Sequence, residues 1–174
     1  MIVDFQNDFT AGGALAVPDG DAIAGRVNEL AASGRFDLVV ATRDWHPPDH
    51  GSFVEQGGPW PAHCVQGTEG AQLCPALDLA RVDLVVDAGQ DPASDGYSGF
   101  EETDLAALLR GRGVDSLTIV GLATDYCVKH TALDALRAGF DVTVDSQAVR
   151  GVELQPGDCE RALDELRAAG ATVS

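Results

Sequence analysis

Short apolar runs rich in β-branched residues recur along this chain, and stretches with helical spacing separate them. The runs are Leu38-Val39-Val40-Ala41, Leu84-Val85-Val86, Leu117-Thr118-Ile119-Val120, Phe140-Asp141-Val142-Thr143-Val144 and Ala171-Thr172-Val173, with Ile2-Val3 ending a further one at the start. A strand wet on one face alternates polar and apolar residues; strands apolar almost throughout are covered on both faces. Helices are expected over 21–32, where Ile23, Val27 and Leu30 share a face and Gly34 stops it, and over 103–112, between a Thr103 cap and Gly113. Two more are expected from about 125 to 137 and over 156–169. Strands alternating with helices give an α/β fold, a mostly parallel sheet with helices on both faces. The 174 residues suit one domain spanning the whole chain.

In such a sheet ligands bind beyond the carboxyl ends of the strands. Asp4 follows the first strand, Asp44 the second and Cys127 the fourth, so three reactive side chains converge on one rim. The stretch 47–75 reads as one long irregular loop. Its histidines, tryptophan and prolines favour a functional role for it.

Net charge narrows the partners. The formal charge of −17 repels nucleic acid and anionic membranes, and reads as a solvated acidic surface. No apolar run approaches the roughly 20 residues that span a bilayer. The first residues carry no signal-like pattern, and the cysteines (Cys64, Cys74, Cys127, Cys159) show no C-x-x-C spacing. Reduced thiols in a cytoplasm are therefore expected; the oligomeric state, monomer or small homo-oligomer, stays open. Lys129 is the one lysine in the chain.

Asp44 and His46 stand two apart and face one side of an extended segment, and His63 can close on them from across the loop. Carboxylate with imidazole suits zinc, iron(II) or manganese without choosing among them. His50 is a further ligand or a support for the others. Cys64 reads as a small buried residue.

Cys127 leaves a buried strand and enters the first turn of a helix. There, free backbone N–H groups and the helix dipole are expected to lower its pKa and to offer donors to an oxyanion. A cysteine so placed is a candidate nucleophile, and Asp4 is a candidate to take its proton and later protonate a leaving amine. Asp8, Cys74 and Cys159 are read as structural.

The blocks Asp4-Phe5-Gln6-Asn7-Asp8-Phe9, Gly12-Gly13-Ala14-Leu15-Ala16-Val17, Asp44-Trp45-His46-Pro47, Trp60-Pro61-Ala62-His63-Cys64-Val65, Tyr97-Ser98-Gly99-Phe100 and Gly121-Leu122-Ala123-Thr124-Asp125-Tyr126-Cys127-Val128 resemble those of the bacterial nicotinamidases (pyrazinamidases), in family order. The resemblance implies an isochorismatase-like three-layer sandwich around a sheet of about six strands. It implies hydrolysis of a small amide, nicotinamide or pyrazinamide, through a Cys127 thioester. The backbone N–H groups of Ala123 and Cys127 would hold the oxyanion, a cis peptide would precede Ala123, and Asp4 would move the protons. One divalent metal on Asp44, His46 and His63 would bind the ring nitrogen, and Phe9, Trp60, Tyr97 and Tyr126 would line the pocket.

Two departures follow. The family's third catalytic residue, a lysine before a glycine, corresponds to Ala88 in Val86-Asp87-Ala88-Gly89. Lys129, on the nucleophile's own helix, is expected to face elsewhere, and Asp87 to point away as a strand neighbour. An engineered Lys→Ala replacement is the preferred explanation; natural impairment and rescue by another group also stand. The family also carries more apolar residues ahead of the catalytic aspartate, so the first strand is expected to be short. A sister amidase acting on a cyclic amide, carbamoyl or maleamate-type substrate, and a non-catalytic ligand-binding homologue, are the competing functions.

Overall fold

The computed structural model describes all 174 residues. Six strands form one sheet: β1 (Ile2–Val3), β2 (Val40–Asp44), β3 (Leu84–Ala88), β4 (Ser116–Leu122), β5 (Asp141–Arg150) and β6 (Thr172–Val173). Their order is β3-β2-β1-β4-β5-β6, and every pairing is parallel. The chain winds outward one way from β1 and the other way from β4. The switch point between those two strands opens a crevice at their carboxyl ends.

Four helices cover the sheet: α1 (Ala24–Ala32), α2 (Leu105–Gly111), α3 (Lys129–Arg137) and α4 (Asp158–Ala169). Alternation along the strands decides what each face receives. Ile2, Ala41, Val120 and Leu122 pack with Ile23, Val27 and Leu30 around α1. Val3, Val40, Ile119 and Val142 pack with Leu105 and Leu109 of α2, Ala132 and Ala135 of α3, and Leu166 of α4. A large aliphatic side chain buried this way contributes about 1.5–3 kcal/mol, which is why β1 holds the centre of the sheet with only two residues.

The structure moves several expected boundaries. The helix anticipated from 125 splits into a π-type turn, Thr124–Val128, and α3; the turn closes through Val128 N–H to the Ala123 carbonyl at 3.0 Å. α2 begins at Leu105, yet Thr103 still works at its start, accepting from Leu105 N–H at 3.3 Å and donating to Gly99 O at 2.7 Å. α4 begins at Asp158, because Gly157 before it has a left-handed φ of 87°. β5 runs on to Arg150, with a register shift opposite Ile119 and Gly121. The long loop is irregular but tied down: bridges join His46 to Val65, Gln6 to Leu73 and Phe53 to Trp60. No helix is long and apolar enough to cross a membrane.

Candidate active site

Asp4 leaves β1 with φ of 46°, a left-handed conformation, which turns its buried side chain along the rim of the sheet. Thr42 on β2 holds it there: Thr42 Oγ1 donates to Asp4 Oδ1 at 2.6 Å, and Asp4 N–H donates to Thr42 O at 3.3 Å. Two residues on, Asp44 shares Thr42's side of the strand. Its backbone is fixed by fully buried Gln6, whose Oε1 accepts from Asp44 N–H at 2.8 Å while Nε2 donates to Asp44 O at 2.8 Å and to Ala71 O at 2.9 Å.

The ligand atoms of Asp44, His46 and His63 lie within 4.8 Å of one another, all buried. Each histidine is oriented by a carbonyl: His46 Nδ1 meets Gly89 O at 2.7 Å, and His63 Nδ1 meets Pro61 O at 2.8 Å. A carbonyl only accepts, so both Nδ1 atoms carry the proton and both Nε2 lone pairs are free. Those Nε2 atoms stand 3.4 and 4.0 Å from Asp44 Oδ2. Asp44 Oδ1 is buried and has no hydrogen-bond partner. A buried carboxylate oxygen facing two imidazoles with free lone pairs fits a divalent transition metal. Gly89 must be glycine for this: its φ is +64°, and a Cβ would stand 2.6 Å from His46 Cε1.

His50 is not in that cluster. It stacks on His46, ring centroids 4.0 Å apart, with Nδ1 against Ser52 Oγ at 2.8 Å. Burial, with His46 adding to it, pushes its pKa down, so a neutral ring buttresses His46. Burial also holds His63 below its ordinary value. On His46 the same effect is outweighed by the Asp44 carboxylate, which raises it.

Cys127 sits in the π-type turn, 5% exposed. Its thiol hydrogen-bonds to the Asp4 carboxylate, and the Ala123 backbone N–H is directed at its sulfur. The Leu122–Ala123 peptide is cis, as the resemblance implied. The expected lowering of the thiol pKa is not found. Burial, then the Asp44 and Asp4 carboxylates, push it well above its usual value. The same environment pushes Asp4 up to about 8, chiefly by burial and next by the Asp44 charge. A helix start favours an anion, but not enough to offset an enclosed site with two carboxylates and no adjacent cationic side chain.

Ala88 brings no cation to this flank. It pairs with Asp44 across β2 and β3 and is 3% exposed, so its methyl lies beside that acid. Lys129 pairs with Glu165 of α4 at 3.4 Å, away from the rim, and Asp87 pairs outward with Arg43, both as expected.

A pocket opens over these groups, lined in part by Phe9, Trp60, Tyr97 and Tyr126. Trp60 Nε1 donates to Tyr97 Oη at 2.9 Å, and Trp60 meets Tyr126 edge-on at 5.0 Å between centroids. Asp8 lies outside the pocket and is structural: it accepts from Cys64 N–H at 2.7 Å and Ala14 N–H at 3.1 Å. Cys64 is fully buried. Sequence reasoning missed Thr42 and Gln6, which hold the two acids, and Phe53, whose ring lies 5.5–5.7 Å from all three loop histidines. Two-residue periodicity from Asp44 points to Thr42; nothing local marks Phe53.

The Isochorismatase domain profile matches residues 1–174. The chain belongs to the isochorismatase family. Within that family it is 44% identical over 196 residues to the nicotinamidase of Escherichia coli, an alignment covering 99% of this chain and 92% of the relative. It is 42% identical over 182 residues to the nicotinamidase/pyrazinamidase of Mycobacterium tuberculosis, covering 99% and 96%. Among solved isochorismatase-family structures, the pyrazinamidase of Pyrococcus horikoshii in complex with zinc superposes with a TM-score of 0.93 at 49% identity, covering 99% of this chain and 96% of that one. The chain is an amidohydrolase of this nicotinamidase type.

Proposed function

We propose that the chain hydrolyses nicotinamide to nicotinate and ammonia through a thioester on Cys127, at a rate held down by Ala88. The observation that carries this reading is the buried contact of the Cys127 thiol with Asp4, one carboxylate away from the Asp44, His46 and His63 cluster. The activities of these relatives, nicotinamidase and pyrazinamidase, support the substrate class.

In this mechanism the thiol proton passes to Asp4 and the sulfur attacks the carboxamide carbon. The developing oxyanion is received by the backbone N–H groups of Ala123 and Cys127. Asp4 returns the proton to nitrogen as the C–N bond breaks, and ammonia leaves. Asp4 then takes a proton from water, which attacks the thioester; the C–S bond breaks, and Cys127 recovers its proton. Trp60, Tyr97 and Tyr126 offer flat walls to a flat ring, and Phe9 closes the side toward His63.

Asp44, His46 and His63 would hold the metal. Zinc, iron or manganese there would supply positive charge next to Asp4 and a Lewis acid for the ring nitrogen. Zinc is in the structure of the Pyrococcus horikoshii relative, which supports zinc first. The working partner is thus a small amide, and the acidic surface argues against nucleic acid and anionic membranes.

The cost of Ala88 follows from charge. An ammonium at this position would favour both the Asp4 carboxylate and the thiolate; a methyl favours neither. Asp4, pushed up to about 8, is then a poor proton acceptor at neutral pH because much of it already holds a proton.

The test is nicotinate formation by the zinc-loaded chain, followed chromatographically with nicotinamide, pyrazinamide and maleamate offered in parallel. The proposal expects slow nicotinate and pyrazinoate formation that Cys127→Ala abolishes. Turnover of maleamate alone would overturn the substrate assignment in favour of a sister amidase.

A further inference from the structure

We propose that Asp4, Asp44 and Cys127 form a second cation site for a thiophilic divalent ion, and that its occupation shuts the enzyme off. This rests on the reading of Cys127 as nucleophile and adds to it a means of inhibition.

The geometry comes first. One ligand atom from each of the three residues lies within 4.8 Å of the others, and each residue is at least 95% buried. Tetrahedral zinc with oxygen ligands near 2.0 Å and sulfur near 2.3 Å keeps them roughly 3.3–3.6 Å apart, so modest side-chain rotation closes the set. Asp44 belongs to both ligand groups. Its Oδ2 faces the two imidazoles, while Oδ1, equally enclosed, has no partner at all. A carboxylate with one oxygen committed and the other orphaned is suited to bridge two cations.

Charge points the same way. Two carboxylates and a thiol are enclosed together, and the cations that could answer them are committed elsewhere: Lys129 to Glu165 and Arg43 to Asp87. Ala88, in register with Asp44, brings only a methyl to this flank. A donor set of two carboxylates and one thiolate selects zinc or cadmium over magnesium or calcium, which take oxygen ligands. On binding, the Cys127 thiol and any protonated Asp4 carboxyl release their protons to solvent, and a metal–sulfur bond forms. The sulfur lone pair that would attack the amide is then occupied.

Three protein ligands leave a fourth position to water, as in an open zinc site. The expected behaviour is biphasic: the first equivalent fills Asp44, His46 and His63, and the second captures Cys127. A lysine at position 88 would place an ammonium among the acids and exclude the second ion.

The experiment is a titration of the metal-free chain with cadmium chloride, reading the ultraviolet cadmium–thiolate charge-transfer band alongside equilibrium dialysis. The parent should bind two equivalents, with the band rising during the second. Cys127→Ser should bind one equivalent without the band, and Ala88→Lys should also stop at one. A parent that binds a single equivalent, or a band that persists in Cys127→Ser, overturns the proposal. Nicotinamide turnover of the same protein holding one equivalent of zinc reports separately on the proposed function, because the cadmium band does not depend on it.

Discussion

The two halves of this site lie within one carboxylate of each other and are built to different standards of completeness. Around Asp44, His46 and His63, every group is positioned for a task. The imidazoles are oriented by the Gly89 and Pro61 carbonyls, His50 buttresses one of them, and Gln6 fixes the Asp44 backbone. Around Cys127, geometry is equally defined, with Thr42 holding Asp4 and Ala123 N–H on the sulfur, but the charge is not balanced. The lesson is that positioning and electrostatics can fail separately. On the proposed mechanism, alanine at position 88 of β3 leaves the pocket its shape and gives its acid and thiol no cation.

The largest effect expected is on the nucleophile. Cys127→Ala, placed in the Ala88→Lys background so that a rate is measurable, should lower kcat for nicotinamide by at least ~10³-fold, because the covalent route disappears. Zinc content by elemental analysis should stay at one equivalent when one equivalent is supplied. Loss of zinc together with activity would show that the two halves are not separable.

The reciprocal change breaks the other half. His46→Ala removes a ligand and should weaken zinc affinity by more than the roughly 10–100-fold that loss of a supporting group costs. Competition with a chromophoric chelator measures it. Iodoacetamide should still alkylate Cys127 slowly in the metal-free variant, as in the metal-free parent. Fast alkylation would mean that Asp44 does not govern the thiol.

How much of this was legible in the sequence divides along the same line. The six strands, the rim bearing Asp4, Asp44 and Cys127, and the mostly parallel pairing came from apolar runs and their spacing, because burial on both faces leaves a local imprint; the strand order came from the structure. The Asp44 and His46 pair was legible because period two is local. The thiol's raised pKa was not: the sequence places Cys127 at a helix start, whereas the fold sets two carboxylates against it from β1 and β2. The π-type turn, Phe53 and the roles of Thr42 and Gln6 depend on contacts across 38 residues or more of chain or on irregular loops, for which no periodicity exists.

A pH series sharpens the electrostatic half. Asp4 is raised from 3.8 to about 8, so the folded protein keeps a proton that the unfolded chain releases. Folding stability from this group is therefore present at low pH and is lost as pH rises from about 4 to about 8. Asp4→Asn has no such loss, so in metal-free protein its stability relative to the parent should grow across that window. The Met1 amine, lowered to about 5 by burial, acts in the opposite sense but is common to both proteins and cancels. Denaturant midpoints at several pH values measure the difference; a constant difference would contradict the assignment.

The smallest effect separates buried charge from surface charge. With −17 on the chain, exposed acids repel one another, and raising KCl from about 0.1 to 1 M shortens the screening length from ~10 to ~3 Å. The melting temperature should rise by a few degrees. Turnover should not recover, because salt does not screen a pair enclosed as Asp4 and Asp44 are.

On the proposed mechanism, one missing positive charge limits an otherwise complete amidase. The direct measurement is ammonia release from nicotinamide by the chain and by Ala88→Lys, side by side, each with one equivalent of zinc. Restored proton transfer should make the lysine protein faster by roughly 10²–10⁴-fold, the usual worth of a positioned acid–base group. Equal rates in the two proteins would contradict a charge deficit at position 88 and assign the missing charge to another group.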